Sequence, residues 1–196
     1  MKRYALAVVF VLLVAGCGGD DESSGSSDTG TTTAQCEPPS GASLTKKLSP
    51  AIPDRPTMYL TDVEIETEDC VERVVFKFEE DEPGPGYEVS YKPAEVAKIE
   101  DGSGDPLAIA GADFLVVRMF PAMTAKIEGE DVEPTYEGPR NIPAPTEAKM
   151  IREVAQTGDF EAQVTWAIGL DNKHPFTVTA TDDELVVEIV NVAATS

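Results

Sequence analysis

The segment FEAQVTWAIGL sets the tightest bound on what this chain folds into. Phe160, Ala162, Val164, Trp166, Ile168 and Leu170 alternate with Glu161, Gln163 and Thr165, the period-two pattern of a strand with one buried face. The pattern recurs along the chain. In VERVVFKF, Val74, Phe76 and Phe78 share one face while Arg73 and Lys77 share the other; in YEVSY, Tyr87, Val89 and Tyr91 oppose Glu88 and Ser90. FTVTA and LVVEIV direct Phe176 and Val178, then Leu185, Val187 and Ile189, inward, and MYLTDVEIET and FLVVRMF add two more strands. EEDEPGPG, EDGSGDP, LDNKHP and TDDE lie between them and carry the Gly, Pro, Asn and Asp that turns require. Only KMIREVAQTG spaces Ile151, Val154 and Ala155 as a helix would, with Gly158 as its stop, and a strand fits that stretch equally well. Short strands, frequent turns and no recurring βαβ unit predict an all-β, antiparallel β-sandwich.

The N-terminus is of a different kind. Lys2 and Arg3 precede an apolar run of about thirteen residues, Tyr4 to Gly16, too short for the roughly 20 that cross a bilayer and arranged as an export signal. The run ends in Val14-Ala15-Gly16-Cys17, followed by GGDDESSGSS. That order resembles a bacterial lipobox, which implies cleavage before Cys17 and acylation of its thiol by diacylglycerol, with palmitate-type chains. Each buried methylene contributes about 0.8 kcal/mol, and two or more chains hold where one dissociates. The expected organisation is a signal peptide over 1–16, a lipidated Cys17 with a flexible Gly/Ser/Thr/Pro-rich tether over 17–56, and a sandwich over 57–196. The expected location is the extracytoplasmic face of the cell membrane. The stretch from Gly18 to Arg55 is too polar to offset its ordering entropy and reads as disordered; a coil of about 38 residues spans roughly 35 Å.

The formal charge of the chain is −21. Nucleic acid is excluded as a partner, because phosphate binding needs basic clusters and this surface repels a polyanion. Such acidity otherwise reads as solubility or adaptation to salt. With Cys17 assigned to lipid, Cys36 and Cys70 remain, an even pair that outside the cytoplasm reads as a disulfide, with free thiols as the alternative. The loop of about 35 residues it closes corresponds to roughly 4 kcal/mol in the chain-entropy account.

Two stretches carry a family resemblance. CVERVVFKFEEDEPGPGYEVSY and GDFEAQVTWAIGLDNKHPFTVTATDDELVVEIVN resemble the AMIN-like domain of actinobacterial lipoproteins, itself similar to the AMIN modules of exported amidases and secretins. The matching motifs are Arg73 to Phe78, Gly86 to Val89, Gly158 to Glu161, Thr165-Trp166 and Gly169-Leu170, within a resemblance covering roughly residues 57 to 192. The family's closing Pro-Arg-Leu-Val-Val-Asp is replaced here by Asp183-Glu184-Leu185-Val186-Val187-Glu188, which removes the Arg of an Arg–acid pair. The resemblance implies a β-sandwich that places proteins in the cell envelope, with peptidoglycan as ligand and no enzyme activity.

The residues themselves supply no catalytic set. There is no G-x-S-x-G, H-E-x-x-H or Walker loop, and the single His, His174, stands before Pro175 in a turn, where a lone imidazole is more often a solvent-exposed bystander than a base. No cofactor is expected. No metal is expected either: two Cys and one His fall short of four ligands, and Asp101 to Asp105 opens like a calcium loop but has Ala112 where the closing Glu belongs. Trp166, flanked by apolar alternates, reads as core, so the candidate ligand-binding residues are Tyr136, Arg140 and Asn141 in TYEGPRN. The expected function is noncatalytic binding or localisation to the envelope. The alternatives are a protein-interaction platform using strand addition at a sheet edge and a small-ligand-binding lipoprotein, which a single small domain disfavours because such proteins generally close two lobes on a cleft.

Overall fold

Alternation of apolar and polar side chains becomes two facing sheets in the computed structural model, which describes residues 36, 38–79 and 84–191. The leader, Cys17 and half of the stretch read as a tether lie outside the described residues. The elements are β1 (Lys47–Leu48), β2 (Met58–Thr67), β3 (Val71–Phe78), β4 (Gly86–Lys92), α1 (Ala94–Ala97), β5 (Asp113–Phe120), β6 (Ala122–Met123), β7 (Ala125–Glu128), β8 (Asp131–Pro134), β9 (Asn141–Pro143), β10 (Ile151–Phe160), β11 (Gln163–Leu170), β12 (Phe176–Ala180) and β13 (Glu184–Val190). One sheet has the order β1-β4-β5-β11-β10-β9 and the other β12-β13-β3-β2-β6, while β7 and β8 form a separate hairpin. Every pairing is antiparallel except β2 with β6.

The inward sets read from the sequence meet in one core. Val74, Phe76 and Phe78 of β3 and Leu185, Val187 and Ile189 of β13 pack with Leu115, Val117 and Met119 of β5 and Val164, Trp166, Ile168 and Leu170 of β11. Trp166 is fully buried, edge-on to Phe76 at 5.9 Å and to Tyr136 at 5.6 Å between ring centroids, geometry that adds to simple burial. At one end of the sandwich the buried carboxylate of Glu72, on β3, accepts backbone N–H bonds from Lys149, Met150 and Ile151 as the chain enters β10. It ties one sheet to the other.

One sequence expectation changes and one open choice is decided. KMIREVAQTG, for which helix and strand stood equal, is strand from Ile151 onward: register shifts between Ile151 and Glu153 and between Gln156 and Gly158 interrupt the alternation, and such bulges leave Ile151 and Val154 both buried three residues apart. FEAQVTWAIGL is not one strand. The chain reverses at Glu161 and Ala162, which both take positive φ (51° and 54°), so Phe160 ends β10 and is 61 % exposed. Within the stretch expected as tether, β1 pairs with β4 and Ser43 bridges Phe176. Backbone hydrogen bonds, not apolar burial, hold this segment, and composition does not register them. Cys36 and Cys70 stand at disulfide distance, 2.03 Å between sulfurs.

Candidate functional site

The three residues proposed for binding are not brought together. Tyr136 turns into the core, 9 % exposed; its hydroxyl donates to the Pro139 carbonyl at 2.8 Å, and burial pushes its phenol pKa up. Gly138 makes this fold-back possible, since a Cβ there would collide with the Tyr136 ring. Arg140 and Asn141 stay at the surface as fasteners. Arg140 donates to the Gln156 carbonyl and to the Glu100 carboxylate, and Ser103 together with Arg140 holds Glu100 below the ordinary carboxylate range. Asn141 donates to Glu153 at 2.8 Å and to the Ala108 carbonyl.

His174 is a brace and not a bystander. Its ring Nε2 lies 2.8 Å from Asp171, its N–H donates to the Tyr91 hydroxyl, and its carbonyl accepts that hydroxyl's proton. The acid at the end of the altered closing motif is also engaged: Glu188 accepts from Arg73 Nε at 2.9 Å across the β13–β3 ladder. Asp101 to Asp105 closes on itself, with Ser103 bonded to Glu100 and Gly104 N–H donating to the Glu100 carbonyl. No group of three or more potential metal-ligating residues occurs among the described residues, and no helix there is long and apolar enough to cross a membrane.

What the topology does assemble is a groove on the outer face of the six-stranded sheet. Between β4 and β5 the chain does not take a tight turn; residues 93–112 cross that face. Leu107 and Ile109 from the crossing segment pack with Ala97, Phe114, Val116, Ala155 and Ala167 in a second apolar cluster. Hydrogen bonds from Asp101 N–H to the Thr157 carbonyl and from Ala112 N–H to the Leu170 carbonyl pin it down. Two glycines of the quoted motifs make room for it. A Cβ on Gly169 would fall on the Ala110 carbonyl oxygen, and one on Gly158 would fall on the Asp101 side chain.

The crossing segment covers part of the face, and the groove runs along its border. Val116, Thr157 and Thr165 form the floor, Val96, Ala97, Ile99 and Asp101 one wall, and Lys92, Arg118, Phe160 and Gln163 the open side, around about 380 Å3. A shallower extension of about 470 Å3 continues from Arg118 and Gln163 to Phe120, Pro121, Glu161 and Ala162. These volumes lie in the range of small-molecule sites, about 300–1,000 Å3. Arg118 is opposite Thr165 in the β11–β5 register and is oriented by a hydrogen bond to the Gln163 side-chain oxygen. Thr165 is 5 % exposed and its Oγ1 has no partner among the described residues. At the lips stand two large apolar side chains open to solvent, Val96 (55 %) and Phe160 (61 %). The groove offers donors, acceptors and apolar contact; it does not offer a nucleophile held by a base.

Sequence reasoning passed over these residues because they come from three separate stretches spread between Lys92 and Thr165, and the signal at Phe160 was masked by an alternation that runs unbroken through the turn. No curated protein and no solved structure matches the chain. The model of the AMIN-like domain matches residues 58–191, nearly the whole sandwich and every strand that lines the groove, and the chain belongs to the AMIN-like domain family.

Proposed function

We propose that this protein is a noncatalytic, lipid-anchored envelope module that works by holding on to the cell wall, with peptidoglycan as ligand. The observation that carries this reading is the family match across 58–191, which points to an envelope-related role. An open groove with hydrogen-bonding and apolar walls is consistent with retention of a ligand, and Cys17 at the end of the apolar run supplies the attachment to the membrane.

The test is sedimentation of the full chain with purified peptidoglycan at low and high salt. Retention that survives high salt supports wall binding, since attraction between exposed charges is screened within about 3 Å at 1 M; failure to sediment overturns it. Mass spectrometry of the native protein checks the anchor separately: a chain starting at Cys17 and carrying diacylglycerol is expected, and an unmodified Cys17 refutes the lipid attachment without touching the wall reading.

A further inference from the structure

We infer that the groove bordered by Phe160, Thr165, Arg118 and Asp101 is a saccharide site, in which a sugar ring lies on the Phe160 side chain and its hydroxyls reach the floor. The inference rests on the envelope reading for the source of the sugar, but its geometry is independent of it.

Three features of the groove select this chemistry. First, its electrostatics are balanced although the chain is strongly acidic. Lys92, Arg118 and Asp101 all line the cavity, and Glu88 lies 3.7 Å from Lys92. A polyanion gains little here, and a purely apolar ligand would strand the polar walls; a polyhydroxylated molecule with at most one acidic substituent satisfies both constraints.

Second, an aromatic ring and hydrogen-bonding groups stand side by side. Phe160 is held at the end of β10 by its pairing with Gln163, and the reversal at Glu161 and Ala162 leaves its ring in solvent. An exposed ring beside Arg118, Gln163 and Asp101 matches a pyranose, which has an apolar C–H face and an equatorial rim of hydroxyls.

Third, the floor contains a buried polar atom that calls for a partner. The Thr165 hydroxyl is enclosed and unpartnered, a state that costs about 1–3 kcal/mol when a donor or acceptor stays unsatisfied. A sugar hydroxyl both donates and accepts, so it pairs with Thr165 whichever way that proton points. Arg118, across the ladder from Thr165, is placed to take a carboxylate substituent of an acidic amino sugar.

The experiment uses the full chain, its Phe160→Ala and Thr165→Val variants, and an Ile127→Ala control on the exposed β7–β8 hairpin. The probe is a fluorescently labelled, peptide-free tetrasaccharide of alternating N-acetylglucosamine and N-acetylmuramic acid, read by anisotropy, with the free stem peptide as a second probe. Thermal midpoints of all variants verify folding. The tetrasaccharide is expected to bind, Phe160→Ala to weaken it about tenfold, the scale of one aromatic contact, Thr165→Val to weaken it without lowering the midpoint, and Ile127→Ala to leave it unchanged. Equal binding by all variants, no binding of the tetrasaccharide, or binding of the stem peptide alone overturns the saccharide site. The outcomes separate from those of the wall reading. Sedimentation with peptidoglycan that persists in both groove variants refutes the groove and leaves the wall reading standing. Tetrasaccharide binding lost in the variants, without sedimentation of the wild type, supports the groove and refutes the wall.

Discussion

The Glu72 carboxylate lies 2.7 Å from the backbone nitrogen of Ile151, so a side chain of one sheet caps the first backbone donor of a strand in the other. Glu72 is 2 % exposed and also accepts from Lys149 and Met150, which makes its charge tolerable inside the sandwich. Glu72→Ala strands three backbone N–H groups, those of Met150 and Ile151 buried, and is expected to destabilise the fold by about 2–4 kcal/mol; Glu72→Gln, which keeps one acceptor oxygen, should lose roughly half as much. Urea denaturation monitored by circular dichroism measures both.

Tyr136 gives a prediction that separates core from site. Truncating its ring to Ala opens a cavity against Trp166 and is expected to cost about 3–5 kcal/mol, whereas Tyr136→Phe removes only the bond to Pro139, about 1 kcal/mol. Ligand binding by Tyr136→Phe should equal that of the parent, and Trp166 fluorescence should shift in the Ala variant alone.

The two motif glycines should behave differently. At Gly169 a methyl group meets the Ala110 carbonyl, which is backbone, while at Gly158 it meets the Asp101 side chain. Gly169→Ala is therefore expected to lift the crossing segment and raise hydrogen exchange across residues 98–112, with a cost of about 2–3 kcal/mol. Gly158→Ala should disturb chiefly the Asp101 wall of the groove, weakening binding with a smaller change in stability.

Alkaline titration reports on Tyr91. Burial pushes its phenol up to about 12, the His174 backbone N–H donated to the phenol oxygen opposes the rise, and Asp113 and Asp171 add to it. The folded-state value is above that of the unfolded chain, so the associated stability is fully present below pH of about 10 and is lost as pH rises toward 12. Ultraviolet difference spectra should show the two buried phenols, Tyr91 and Tyr136, ionising later than the exposed ones, and Tyr91→Phe should remove the component that titrates in step with unfolding.

The strands were legible because one face of each is buried and the other wet. Val74, Phe76 and Phe78, or Leu185, Val187 and Ile189, announce their face without reference to any partner, and Trp166 was readable as core from its neighbours alone. Bulges defeated the same logic in β10, where an extra residue puts Ile151 and Val154 on one side at a spacing that mimics a helical turn. The reversal at Glu161-Ala162 was hidden for a chemical reason: tight hairpins with positive φ favour Asn-Gly or Asp-Gly, and this one uses neither. The groove could not be read at all. Its members acquire a common surface only because residues 93–112 leave the sheet and cross it, a long-range event that no local period encodes.

Cys70 precedes β3 directly, and β3 is the middle strand of its five-stranded sheet. Because Cys36 is bonded to Cys70, tension applied to the chain before Cys36 enters the sandwich at that central strand and bypasses residues 38–57 altogether. Pulling there shears the ladders on both sides of β3 at once instead of unzipping β1 from the rim. The disulfide thereby sets the load path: reduced, the entry segment would peel away at low force, and oxidised, the domain should behave as a mechanical clamp.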